Sequence, residues 1–249
     1  RHKDEPFFLY YPMCLTHGPF YPTPDTWKEG EPRQHNDRAN FGANVEYMDK
    51  LVGRIVAALD EAGLRDDTVL FFTTDNGTGG AGKGTVTEAG CRVPMIVNGP
   101  GHVKRLGARK ELVDFSDMLP TLAEFAGAQL PDGYAVDGGS FAPLLRGDPY
   151  EEREWIFSYL ADKRMLRDKR WLLEGDGRFF DCGASRDGAG YADVTDSEKP
   201  DVAAARQRFE RILEGLPGPA EDDPLLIRWR ESEPARKRRQ QRQQQRQQQ

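Results

Sequence analysis

Cysteine is nearly absent from this sequence: Cys14, Cys91 and Cys182 are the only three in 249 residues, far apart and in no Cys-x-x-Cys spacing. That excludes a zinc ribbon or a thioredoxin-type motif, and the odd number argues against a disulfide framework. Long apolar runs are missing as well. No stretch approaches the roughly 20 apolar residues needed to span a bilayer, so no membrane segment is expected. The first six residues, Arg1 to Pro6, are mostly charged and run directly into Phe7-Phe8-Leu9-Tyr10-Tyr11 with no signal-peptide pattern, as though the chain began in mid-domain.

Basic residues are fewer than acidic ones, 35 against 41, and they are unevenly placed. Residues 236–249 hold Arg236, Lys237, Arg238, Arg239, Arg242 and Arg246 and no acid, which puts this tail at +6 and the rest of the chain at −12. An acidic body is no nucleic-acid footprint, and no nucleic-acid partner is expected. A Gln/Arg tail without apolar side chains cannot pack, so residues 232–249 are expected to be disordered. What is present is ordinary for a soluble globular chain, 37% hydrophobic and 31% charged. A chain of this length buries roughly three-quarters of its unfolded surface.

The hydrophobic pattern favours an α/β fold. Phe7 to Tyr11, closed by Pro12, suits a buried strand whose exit loop carries His17. From Asn40 to Ala62, Phe41, Val45, Met48, Val52, Ile55 and Leu59 recur at helical intervals, with Gly63 as a stop. Val69 to Thr73 and Val93 to Val97 are continuous apolar runs, the pattern of strands covered on both faces. Helix followed by buried strand predicts a largely parallel sheet flanked by helices. A second helix is predicted from an N-cap at Ser116 to about Ala126. Beyond Gly147 the segments Trp155 to Leu160, Arg164 to Arg167, Trp171 to Leu173 and Arg178 to Asp181 predict a small antiparallel meander, and Pro200 opens a last helix to about Leu213. The expected organisation is an α/β portion over 1–150, an antiparallel sheet plus helix over 151–231, and the tail over 232–249.

Chemistry concentrates in one stretch. Asp75-Asn76-Gly77 follows an apolar strand, where open α/β sheets gather ligands, and Asp and Asn offer oxygen donors of the kind calcium or magnesium takes. Asn-Gly is also a favoured hairpin turn, so the tripeptide alone decides nothing. Lys83 stands between Gly82 and Gly84, glycines that let backbone approach an anion closely, and Glu88 is placed to orient the lysine. The Gly-x-x-x-x-Gly-Lys-Ser/Thr spacing of a P-loop is absent. His17 is a candidate proton donor or anion contact, although a lone loop histidine is more often an ordinary one.

In order along the chain stand His17-Gly18-Pro19-Phe20, the helix with Tyr47-Met48-Asp49-Lys50-Leu51-Val52-Gly53, Thr74-Asp75-Asn76-Gly77, Gly82 to Gly90 with Arg92-Val93-Pro94, and Asp117-Met118-Leu119-Pro120-Thr121-Leu122. That order resembles the C-terminal portion of a type I, arylsulfatase A-like sulfatase of the alkaline phosphatase superfamily, over roughly residues 6 to 182. The resemblance implies one calcium site in which Asp75 and Asn76 are metal ligands, with the rest of the ligands outside this chain. It also implies that His17 and Lys83 are catalytic and grip the sulfate. The implied chemistry is sulfate ester hydrolysis, of an aryl or carbohydrate ester: a hydrated formylglycine attacks sulfur, calcium and Lys83 stabilise the sulfuryl oxygens, and His17 protonates the leaving group.

Formylglycine is made from a Cys or Ser in a Cys/Ser-x-Pro-x-Arg motif, and none of Cys14, Cys91 and Cys182 has that surrounding sequence. The nucleophile is therefore expected outside the chain, in a missing N-terminal half, and the fragment alone is expected to be inactive. Export to the periplasm or beyond the cell is also implied. Two departures from the family pattern stand out: the loop from Gly77 to Lys83 is short, and Glu-Gly-Gly becomes Glu88-Ala89-Gly90, at the expected cost of one unusual backbone conformation. Two alternatives differ in what they require. A phosphatase or phosphonate hydrolase of the superfamily needs more histidine than His2, His17, His35 and His102 supply. A non-catalytic binding protein would depend on the Arg/Gln tail.

Overall fold

The computed structural model describes residues 4–80, 82–185, 188–216, 218, 226–228 and 231–232. By its internal contacts the chain divides into two units, residues 1–70 with 97–104 and residues 71–96 with 105–249. Apart from Ser232, the tail expected over 232–249 lies outside the described residues.

The first unit is organised around α1, Phe41–Glu61, which the spacing of apolar residues predicted. A short 3-10 turn, Arg38–Asn40, leads into it, with the Asp37 side chain accepting from Ala39 N as its cap. Asn44, buried on the first turns, donates to the Tyr21 and Asn40 carbonyls and so ties the proline-rich excursion to the helix. Phe20 meets Phe41 edge-on at 5.5 Å. The helix ends where Gly63 takes φ +69, the left-handed backbone that glycine adopts without steric cost.

The run Phe7 to Tyr11 departs from expectation. It forms no strand, and its five side chains are 46 to 77% exposed. A buried strand needs neighbours to satisfy its N–H and C=O groups, and none of the strands among the described residues pairs with it.

Strands β1, Leu70–Thr73, and β2, Met95–Asn98, form a two-stranded sheet. Both were expected to be covered on each face. Instead β1 is half-buried throughout and β2 alternates, with Ile96 57% exposed. Between them lies a short helix, α2, Glu88–Cys91. The next helix, α3, Met118–Phe125, begins through a 3-10 turn at Phe115–Asp117. Its cap is Asp114 rather than Ser116: Asp114 Oδ1 accepts from Ser116 N and Oγ, and Asp117 reaches back to Asp114 N in a capping box. Asp117, 1% exposed, also accepts from Gly139 N and pairs with Arg153. Helix α4, Ala142–Arg146, closes at Gly147 with φ +71.

The C-terminal meander follows the sequence closely: β3, Ile156–Leu160; β4, Lys163–Arg167; β5, Trp171–Leu173; β6, Phe179–Asp181; and β7, Ala192–Asp193, in antiparallel order. Helix α5, Pro200–Gly215, starts at Pro200 as predicted. Successive strand residues face opposite sides. Leu166, Trp171 and Phe179 pack with Val202, Ala205 and Phe209 of α5, whereas Met165, Leu172 and Cys182 pack with Val86. Both faces are covered, which explains why these strands carry adjacent apolar residues. By the same alternation Arg167 emerges on the Val86 side.

Candidate active site

Residues 74–91 leave β1 and return toward β2, and three glycines let this segment fold on itself. Gly77 N donates to the Gly90 carbonyl at 2.9 Å. A Cβ on Gly77 would sit 1.7 Å from the Ala89 carbonyl oxygen, and one on Gly82 would sit 2.0 Å from the same atom. At Gly90 it would meet the Thr85 and Gly82 carbonyls at 2.4 and 2.6 Å. The Asn76-Gly77 step is thus no hairpin turn. Its glycine lets the end of the Asp75–Gly77 bend lie against α2, while Gly82 brings the Lys83 loop onto the same short helix.

Lys83 is exposed, and its backbone is fixed: Lys83 N donates to the Thr78 carbonyl at 2.9 Å, and Thr85 N and Oγ1 donate to the Gly82 carbonyl. Gly84 turns the chain at φ +80. The glycines beside Lys83 therefore serve the loop's own packing. Glu88 does not orient the lysine as expected; its carboxylate is engaged elsewhere. Nor does Ala89 cost an unusual conformation, since it lies within α2 and Ala161 is the only non-glycine residue at positive φ among those described.

Glu88 is the centre of a partly buried polar network that sequence reasoning missed. Tyr191 Oη donates to Glu88 Oε1 at 3.1 Å, and Arg167 and Arg92 approach its two carboxylate oxygens at 3.7 Å each. Arg167 also donates to Cys182 Sγ at 2.8 Å and Tyr191 Oη at 3.1 Å. Glu88 N donates to Glu174 Oε1 at 2.8 Å, and Gly175 N to the Val86 carbonyl at 2.6 Å. Burial and the nearby Glu88 charge push the Tyr191 hydroxyl up to about 12. Burial, helped by neighbouring carboxylates, raises the Cys182 thiol against the pull of Arg167, and raises the Glu174 carboxyl against its hydrogen bond from Glu88 N and the Arg178 charge. Burial is the largest influence on the Arg167 charge and works against it, but Glu88, Cys182 and Tyr191 together outweigh it and the guanidinium is held above its ordinary range. The sequence offered little signal, since Arg167 is one of three basic residues in the five-residue strand Lys163-Arg164-Met165-Leu166-Arg167.

His17 lies in the other unit. It is exposed, with Nδ1 2.6 Å from the Gly18 carbonyl oxygen and its backbone N donating to the Cys14 carbonyl. A carbonyl accepts only, so Nδ1 carries the proton in that contact.

Asp75 and Asn76 follow β1 as a bend, Asp75 exposed and Asn76 half-buried. Their donors are oxygens and fit a hard cation, which takes six to eight such ligands. Among the described residues no group of three His, Cys, Asp or Glu is placed to hold a metal. The pair fits as two ligands of a larger set.

Comparison with known proteins gives three results. The family model described as Sulfatase matches residues 1–128. Arylsulfatase A of Bos taurus is 38% identical over 65% of this chain and 33% of its own length, and steryl-sulfatase of Mus musculus is 33% identical over 69% and 29%. A solved structure from the metabolism of multiple glycosaminoglycans by Bacteroides thetaiotaomicron superposes with a TM-score of 0.67 at 24% identity, over 85% of this chain and 51% of that one, a likeness of fold. The chain spans about a third of the length of the curated relatives it matches.

Proposed function

The chain belongs to the sulfatase family, and from that premise we propose that it is the sulfate-gripping portion of a sulfuric ester hydrolase acting on an aryl or carbohydrate sulfate ester. The observation that carries the reading is the shared platform of α2. The bend bearing Asp75 and Asn76 and the loop bearing Lys83 both rest on the Ala89 and Gly90 backbone, so an oxygen-donor pair and a lysine with a fixed backbone belong to one local structure. The matched relatives are named for sulfate esters, which favours sulfate over phosphate.

In this reading Asp75 and Asn76 would hold calcium together with donors from outside these residues. When bound, calcium supplies positive charge beside the sulfuryl oxygens, and a formylglycine from outside the 249 residues supplies the attacking hydroxyl. Lys83 holds one sulfuryl oxygen by a charge-assisted contact that strengthens as negative charge develops there. His17 already commits its Nδ1 proton to the Gly18 carbonyl. The imidazolium form then has one proton to give, on Nε2, and that proton passes to the departing alcohol or phenol oxygen.

Assays of the 249-residue chain with an aryl sulfate and with the matching aryl phosphate, each with calcium, test the division of labour. We expect no turnover of either ester and no sub-micromolar calcium binding by calorimetry. Joined to a formylglycine-bearing sulfatase segment, the chain is expected to support hydrolysis of the sulfate in preference to the phosphate. Turnover by the chain alone, or a preference for phosphate once joined, contradicts the proposal.

A further inference from the structure

Two of the most deeply buried charges in the second unit, Arg167 and Glu174, are each 6% exposed, and both meet Glu88. Neither has a part in the chemistry proposed above. The geometry points to Glu88 as a positioning residue: gripped by Tyr191, Arg167 and Glu174 around the five-stranded sheet, it fixes α2, and through α2 both the Lys83 loop and the Asp75–Gly77 bend. The functional meaning of this tie rests on the sulfatase reading, whereas the tie itself is geometric.

Helix α2 has only four residues and cannot hold its own shape. Its backbone nonetheless carries the Ala89 carbonyl against which Gly77 and Gly82 pack, and the Gly90 carbonyl that accepts from Gly77 N. What holds it comes from far along the chain. The Glu88 backbone N–H ends on Glu174, 86 residues on, and the Glu88 carboxylate accepts from Tyr191, 103 residues on. Val86, 2% exposed, is inserted into the Met165, Leu172 and Cys182 cluster, and Gly175 allows the approach, since a Cβ there would lie 2.7 Å from Val86 Cβ. Glu88 is also the carboxylate that faces the buried Arg167 guanidinium, whose other close partners are the Cys182 thiol and the Tyr191 hydroxyl and ring. Losing it frees α2 and strands a buried positive charge at once.

Residue-resolved amide hydrogen exchange on the 249-residue chain reads the tie directly. In Glu88→Gln, the amides of Gly77, Lys83 and Thr85, which donate to the Gly90, Thr78 and Gly82 carbonyls, are expected to exchange roughly ten- to a hundredfold faster, the scale set by a hydrogen bond to a charged group. Ala203 in α5 is expected to keep its protection. The double variant Glu88→Gln/Arg167→Met removes the stranded charge and is expected to recover the thermal midpoint while the three loop amides stay fast. Uniform acceleration that includes Ala203 overturns the proposal, as do unchanged loop amides in Glu88→Gln or recovery of loop protection in the double variant. Should Glu88→Gln not fold, Tyr191→Phe removes one of the same hydrogen bonds at nearly constant shape and is held to the same outcomes. No sulfate enters this measurement, so its failure is distinct from failure of the sulfatase reading, which turnover tests.

Discussion

Gly77 and Gly84 stand seven residues apart and require glycine for different reasons. At Gly77 the backbone is unremarkable and the space is gone: a methyl would lie 1.7 Å from a backbone carbonyl. At Gly84 there is open space, but φ is +80. Gly84→Ala is therefore expected to cost about 1–2 kcal/mol through backbone strain. Gly77→Ala should cost at least the 1–3 kcal/mol typical of overpacking, because the obstructing atom belongs to the main chain. Denaturant titration of the two variants should rank Gly77→Ala as the more damaging. The sequence displayed a glycine-rich loop but could not divide these roles, since close approach depends on Ala89 and Gly90 returning to the bend. The cysteines differ as clearly. Cys14 is exposed, whereas Cys182 is buried with its thiol raised by desolvation, so a smaller fraction is thiolate at neutral pH. Timed iodoacetamide labelling with mass spectrometry should modify Cys14 first and Cys182 last.

Among the elements, α5 and the meander behind it stabilise the C-terminal part of the second unit. Phe209 is fully buried and meets Phe179 edge-on at 5.5 Å, and Phe179 in turn stacks on Trp171 at 5.6 Å. Phe209→Ala is expected to cost about 3–5 kcal/mol, with the loss visible in thermal unfolding. Asp181 makes this packing pH-sensitive. Its hydrogen bonds from Arg170 hold the carboxyl below the ordinary aspartate range, and the same guanidinium reaches Asp201 in α5. A carboxyl with a lowered folded pKa stabilises the fold above its unfolded pKa and loses that contribution as pH falls through the folded value. Asp181→Asn should thus lower the midpoint at neutral pH and flatten its fall below about pH 4. Elements with a long period were legible in the sequence: α1 and α5 through helical spacing, and β3 to β6 through short apolar runs between turns. The four-residue α2, the five-residue α4 and the two-residue β7 carry too few residues to show a period. Phe7 to Tyr11 has the composition of a strand, but pairing is a property of neighbours and composition does not supply them.

At the scale of the molecule, the family and the fold were accessible because ordered short motifs survive in sequence even where each is weak alone. The support for the Lys83 loop was not, because Glu88 meets partners 86 and 103 residues away, a separation across which no local pattern extends. The tail at +6 against a body at −12 offers a competing account, in which binding through the tail is the function. Deleting residues 236–249 is expected to leave sulfate ester hydrolysis by the joined protein unchanged, and a loss of that activity would favour the tail. The central claim concerns Lys83 itself. Steady-state hydrolysis of an aryl sulfate by this chain joined to a formylglycine-bearing sulfatase segment, compared between the parent and Lys83→Ala, tests it most directly. A fall in kcat of about 10² to 10³ is predicted, the scale for losing one charge-stabilising donor; an unchanged kcat would contradict the assignment of Lys83 to the sulfuryl oxygen.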